Sequence, residues 1–217
     1  MNLPTKITVS RIIATAVIFV ALLTLYFVKI VNPSFVTPFL QLGNVQIDYI
    51  FIGLLVVFIL VSLTDMVDGK LARSRNEVTT LGKFLDPIAD KLLVNSMLIF
   101  LAAVSILAPY NQTQPVGISV WCVILMIARD IVVDSLRLIG ASKKIIISAN
   151  IFGKLKTVFQ MIAIGVVLAN DFPFAFFDQG FPQGLRISDI LVYIATAISL
   201  ISGIIYVIQN KHVFKEE

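Results

Sequence analysis

The sequence predicts an all-α polytopic membrane protein with six transmembrane helices and both termini in the cytoplasm. Three observations carry that expectation: a scarcity of charge, six apolar runs, and a one-sided distribution of basic residues. Of 217 residues, 58% are hydrophobic and only 14% are charged, and the mean hydropathy is +0.96. A soluble domain is nearer half apolar and a quarter charged. Lipid is therefore the expected solvent.

A helix needs about 20 apolar residues to cross the hydrocarbon core of a bilayer. The first run, Ile12–Val31, follows Lys6 and Arg11. It is too long for a signal-peptide h-region and no small-residue cleavage site follows it, so a permanent span is expected. Pro33 and Pro38 close it. The second run is Tyr49–Thr64 and the third Leu81–Ala108, with a polar turn from Asn111 to Pro115 after it. The fourth is Val116–Ile139 and the fifth Ser148–Ala169. A stretch rich in Phe, Pro and Gly, Asp171 to Pro182, leads to the sixth, Ser188–Ile208. Trp121 and Tyr110 are expected in the outer aromatic belt. No internal repeat interrupts the pattern, so residues 1–217 are expected to form a single membrane domain. The lone Cys122 excludes an intrachain disulfide and a cysteine-based metal site.

Basic residues orient the spans. Of the 17 Lys and Arg, all but Lys29 and Arg186 fall in the N-terminus, the 65–91 region, the 129–156 region or the C-terminus. Positive charge stays cytoplasmic, and an even number of spans then puts both termini there. The net charge of +4 is thus an orientation signal and excludes a nucleic-acid partner, since no soluble basic face exists to carry one.

The informative stretch is SLTDMVDGKLARSRNEVTTLGKFLDPIADKLL. Asp65 and Asp68 are three residues apart and share a helix face; Asp86 and Asp90 are four apart and share another. A turn around Asn76–Thr80 makes the two helices antiparallel neighbours, so both acidic faces can meet at one depth. A single intramembrane Asp can be a helix-packing or salt-bridge group. Four carboxylates together repel and lose hydration unless a cation compensates them. An all-oxygen set without His or Cys suits Mg²⁺, Mn²⁺ or Ca²⁺ rather than Zn²⁺ or Cu. Gly69 and Gly82 beside the aspartates leave room for a ligand near the backbone or for a close helix contact. Pro87 is expected early in the third helix, where a missing N–H is tolerated best.

The pattern Asp65-x2-Asp68-Gly69-x2-Ala72-Arg73-x8-Gly82-x3-Asp86-x3-Asp90 resembles the motif of the CDP-alcohol phosphotransferases at every fixed position. The resemblance implies that a hydroxyl of one alcohol attacks the β-phosphorus of a CDP-linked alcohol and that CMP leaves. It implies Asp65, Asp68 and Asp86 as metal ligands, with two divalent ions, Mg²⁺ or Mn²⁺. Asp90 is implied as the general base, also touching a metal. Asp65, Asp68, Gly69, Ala72, Arg73 and Gly82 are implied around the CDP-alcohol. A homodimer is implied as well.

Two further patches bear on the acceptor. Six basic residues lie within Arg129–Lys156. Lys143 and Lys144 fit an ordinary positive-inside loop. Arg129, Arg137, Lys154 and Lys156 lie within or beside apolar helices and need anionic partners, which Asp130, Asp134 or a bound phosphate can supply. Gln160, one turn beyond Lys156, can bond a ligand or a neighbouring helix. The N-terminus reads Asn2-Leu3-Pro4-Thr5 with Thr8 and Arg11 following, and a later segment reads Gly153-Lys154-Leu155-Lys156-Thr157. Both patches resemble the bacterial branch of the family that takes sn-glycerol 3-phosphate as acceptor and CDP-diacylglycerol as donor, although Asn2 and Pro4 depart from that branch's usual order. The acceptor phosphate is then expected at Thr8, Arg11, Arg129, Arg137, Lys154 and Lys156. Rival readings are the branches that use inositol phosphate or make cardiolipin and, from another class, a cation transporter with the aspartates as its ion path.

Overall fold

In the structure, a computed structural model, the backbone is described for residues 3–32, 38–42, 45–74, 80–107, 117–143, 151–177, 180–182 and 184–211. Within these, side chains are described except at 3–5, 29, 42, 45–46, 65–74, 80–84, 86 and 106–107. The expected turns at 76–79 and 111–115, together with Asn2, Tyr110 and Lys144, lie outside the described residues.

The elements in chain order are helix α1 (Leu3–Val31), strands β1 (Phe39–Leu42) and β2 (Val45–Asp48), helices α2 (Tyr49–Ser74), α3 (Thr80–Leu107), α4 (Val120–Ser142) and α5 (Ile151–Leu168), a 3₁₀ turn (Phe174–Phe176), and helix α6 (Ile187–Gln209). Each of the six apolar runs centres on one long helix. Among the described residues, four segments are long and apolar enough to cross a membrane: Lys6–Val28, Pro87–Ser105, Ile151–Leu168 and Ile187–Gln209. The apolar part of α2, Tyr49–Thr64, is shorter, and α4 carries Arg129, Asp130, Asp134 and Arg137.

The helices outrun the apolar pattern. α1 reaches back to Leu3 and takes Thr8 and Arg11 into its body, and α2 continues through both aspartates to Ser74. In lipid every backbone group must be satisfied within the segment, which favours helix even for β-branched sequences. Beyond the apolar part of α2, Lys70, Leu71, Ala72 and Arg73 are good helix formers and carry it on. Pro87 lies about two turns inside α3 rather than in its first turn, so the carbonyl of residue 83 lacks its usual intrahelical donor. The strands were not expected. They pair antiparallel with Phe39 opposite Asp48 and Leu42 opposite Val45. Asp48 then caps α2, its Oδ1 accepting from the Ile50 N–H at 2.8 Å.

The chain divides into two compact units, Met1–Pro115 with Leu168–Asn170, and Val116–Val167 with Asp171–Glu217. In the first, α1 packs on α3 and α2. Its buried stripe runs Thr8, Arg11, Thr15, Ile18, Leu22. The spacing of three and four residues marks one helix face. That face is polar at its first turns and apolar beyond. The opposing stripe on α3 is Ala89, Leu93, Met97 and Leu101, all buried.

In the second unit α4 packs along α6. The partner separations are nearly constant, 70 residues for Arg129–Ser199 and 69 for Arg137–Tyr206, so the two helices run parallel. The α6 face is built of Ala195, Ser199, Ser202 and Gly203. Small residues of this kind let helices approach closely where lipid gives no hydrophobic drive to association. The start of α6 is fixed by two carboxylates. Asp189 Oδ2 accepts from the N–H groups of Gly184 at 3.0 Å and Arg186 at 3.3 Å, and Asp171 Oδ1 accepts from Ser188 N–H at 3.0 Å. Negative charge also suits a helix N-terminus.

Candidate active site

Asp65, Asp68, Gly69, Ala72 and Arg73 all lie on α2, and Gly82, Asp86 and Asp90 lie on α3. The two helices are joined by a connection of five residues, 75–79. At their other ends, the rings of Phe51 and Phe100 meet with centroids 6.1 Å apart. The helices are therefore antiparallel. Asp65 follows Phe51 by as many residues as Asp86 precedes Phe100, about 14, so at 1.5 Å per residue both lie roughly 21 Å from that ring contact. Counted along each helix, Asp65 and Asp86 are equally far from that contact. The side chains of Asp65, Asp68, Gly69, Ala72, Arg73, Gly82 and Asp86 lie outside the described residues. No group of three or more His, Cys, Asp or Glu suited to a metal occurs among the described residues.

Asp90 is described. Its Oδ1 stands 3.1 Å from Arg11 Nη2, with the Arg11 side chain 1% exposed and that of Asp90 50% exposed. The guanidinium is thus sealed between helices while the carboxylate keeps an open side. Thr8 and Thr15 are buried on the same α1 face, and Thr15 Oγ1 donates to the Arg11 carbonyl at 2.9 Å. Two residues expected near an acceptor phosphate, Thr8 and Arg11, therefore belong to the stripe that reaches the expected base.

The second unit gathers charge around one carboxylate. Lys156 Nζ lies 2.7 and 2.6 Å from the two oxygens of Asp130, and Arg129 Nη1 lies 2.9 Å from Asp130 Oδ1. Asp130 and Lys156 are both buried. Arg129 also donates from Nη2 to Ser202 Oγ at 2.6 Å and from Nε to the Ser199 carbonyl at 3.1 Å. A guanidinium has five donors, so among the described residues N–H groups remain on Nη1 and Nη2. Asp130 thus pairs with two cations among the described residues. Arg137 donates from Nε to Tyr206 Oη at 3.0 Å and lies over the same ring. Lys154 is exposed.

Sequence reasoning missed the part α6 plays. A Cβ on Gly203 would come within 2.7 Å of Arg129 Cγ and 3.2 Å of its Nε, so this glycine makes the seat for the guanidinium. The available signal was the cluster of Ser199, Ser202 and Gly203 in a helix otherwise dominated by Ile, Leu, Val and Ala.

The described residues thus form long apolar helices, two of which carry the aspartate motif along their length. The model of the CDP-alcohol phosphatidyltransferase family matches residues 1–204. The chain belongs to that family and is a transferase. It is 36% identical to the CDP-diacylglycerol–glycerol-3-phosphate 3-phosphatidyltransferase of Bacillus subtilis (strain 168), over 99% of this chain and 97% of that protein. The Mycoplasma pneumoniae protein of the same name is 35% identical over 96% of this chain and 87% of its own length. That of Rickettsia bellii is 31% identical over 94% and 93%.

Proposed function

We propose that this chain transfers the phosphatidyl group of CDP-diacylglycerol to sn-glycerol 3-phosphate, giving phosphatidylglycerophosphate and CMP. The observation that carries the reading is the eight-residue aspartate motif, laid along α2 and α3. The names of the relatives support the choice of donor and acceptor.

In the reaction the acceptor hydroxyl oxygen bonds to the β-phosphorus of the donor. The bond from that phosphorus to the bridging oxygen breaks, and its electron pair leaves with CMP. The hydroxyl proton passes to Asp90, whose open side admits it. Arg11 holds the Asp90 carboxylate in place. Asp65, Asp68, Gly69, Ala72, Arg73 and Gly82 line the CDP-alcohol. Thr8, Arg11, Arg129, Arg137, Lys154 and Lys156 serve the acceptor phosphate, for which Arg offers a fork and Lys a point charge. The donor set of α2 and α3, carboxylates without His or Cys, fits Mg²⁺ or Mn²⁺; Asp65, Asp68 and Asp86 would hold two such ions, with Asp90 beside them. When bound, the ions supply charge neutralisation at the pyrophosphate.

The same reading includes six spans in the cell membrane, both termini and the active site on the cytoplasmic side, and a homodimer. The basic residues around 65–91 and 129–156 support that orientation.

The test is purified protein in lipid nanodiscs with CDP-diacylglycerol and a panel of acceptors, reading CMP. Glycerol 3-phosphate is expected to release CMP. Release with inositol phosphate but none with glycerol 3-phosphate would overturn the acceptor assignment. Cation flux that persists in Asp90→Asn with no CMP formed would instead establish a transporter.

A further inference from the structure

Gln160 lies on α5 one turn beyond Lys156 and is only 2% exposed. Among the described residues neither its Oε1 nor its Nε2 has a hydrogen-bond partner. A buried carboxamide left bare is costly, because it loses water and gains nothing in return. Its neighbours along the same face, Ala163, Ile164 and Val167, are buried and apolar, so they offer no side-chain partner. Toward the start of α5 that face holds Lys156, fixed by Asp130. The stripe thus places a clamped cation and a bare amide one turn apart, about 5–6 Å between Cβ atoms.

We propose that Gln160 reads the hydroxyl of the acceptor that does not react. An amide offers one donor group and one acceptor oxygen. A phosphate, which only accepts, would satisfy Nε2 and be repelled by Oε1. A hydroxyl both donates and accepts, and can pair with either end. A short phosphorylated polyol carries a phosphate for Lys156 and, on the adjacent carbon, a hydroxyl within reach of the next helical turn. Gln160 is thereby a specificity-determining residue, and Lys156 supplies the charge that draws the phosphate end. The inference rests on the acceptor assignment proposed above and extends it from the phosphate to the hydroxyl.

The experiment compares glycerol 3-phosphate with 3-hydroxypropyl phosphate, which lacks the middle hydroxyl, using CDP-diacylglycerol and full-length protein in nanodiscs. Wild type is expected to favour glycerol 3-phosphate in kcat/KM. Gln160→Leu and the unbranched Gln160→Met are each expected to lower kcat/KM for glycerol 3-phosphate by about 10- to 100-fold and to leave the deoxy acceptor within about twofold, so the preference collapses. Both variants are expected to melt no lower than wild type without acceptor, because the bare amide is gone. A packing role alone would slow both acceptors equally. Wild type active on glycerol 3-phosphate, with an unchanged preference in a variant that folds, overturns this inference alone. Wild type inactive on glycerol 3-phosphate overturns the acceptor assignment and this inference with it.

Discussion

Arg11 Nη2 on α1 stands 3.1 Å from Asp90 Oδ1 on α3, and the guanidinium is buried while half of the carboxylate side chain is open. The pair ties the first helix to the proposed base and leaves the base accessible. Asp90→Asn is expected to lower kcat for CMP release by about 10² to 10⁴-fold, the usual worth of a positioned general base. Arg11→Lys keeps the charge but loses the fork, and is expected to fall between wild type and Arg11→Met. Because Arg11 reaches the chemical step through Asp90, the double variant Arg11→Met with Asp90→Asn should sit within about tenfold of Asp90→Asn alone in kcat at saturating acceptor, where a part in acceptor binding does not show. Full additivity in a kinetic cycle would show that Arg11 acts elsewhere.

Asp130 holds two cations in the second unit, and the three side chains are almost fully enclosed. Removing one member of a buried charged cluster strands the others, at a cost of about 3–5 kcal/mol. Asp130→Ala is therefore expected to lower the melting temperature by roughly 10 °C, taking about 2–4 °C per kcal/mol for a chain of this size. Asp130→Leu combined with Lys156→Met should recover part of that loss, since one stranded cation is removed while Arg129 loses its carboxylate and keeps only Ser199 and Ser202. Acceptor KM should stay raised in the double variant. Thermal melts and acceptor titrations on the same preparations separate the two effects.

Gly203 lies against the Arg129 side chain, and an added Cβ would come within 2.7 Å of its Cγ. Gly203→Ala is expected to displace the guanidinium from Ser199 and Ser202 and to destabilise the protein by about 1–3 kcal/mol. Arg129→Ala in the same chain removes the clash. The second substitution should then cost much less than it does in wild type. A double-mutant cycle measured by thermal unfolding should show a coupling of about 1 kcal/mol or more.

Much of this molecule was written in local pattern. The apolar runs located six helices because lipid leaves the backbone few alternatives. The aspartate motif was legible because its spacing alone places carboxylates on helix faces. Helix ends were less so. The apolar run begins only at Ile12, yet α1 starts at Leu3, since burial against α3 compensates polar residues that hydropathy counts as breaks. The hairpin at 39–48 escaped notice because Pro33 and Pro38 read as loop, whereas the pairing depends on a strand partner. The link from Arg129 to Ser199 and Ser202 spans about 70 residues. Only the parallel packing of α4 on α6 reveals it, since no local period connects such positions.

The oxygen-only donor set of α2 and α3 leads to a last expectation. Hard divalent cations bind carboxylates and dissociate to a chelator, whereas Zn²⁺ prefers sites with His or Cys. EDTA is expected to abolish CMP release, and Mg²⁺ or Mn²⁺ added in excess should restore it. Asp65→Asn, Asp68→Asn and Asp86→Asn should each raise the Mg²⁺ concentration needed for half-maximal rate, because each removes charge from the proposed cation site. A substitution at Lys156 should leave that concentration within about twofold, since it lies outside the donor set. The readout is a Mg²⁺ titration of CMP release at saturating substrates. An unchanged half-maximal concentration in all three aspartate variants would remove these residues from the metal site, whatever their effect on rate.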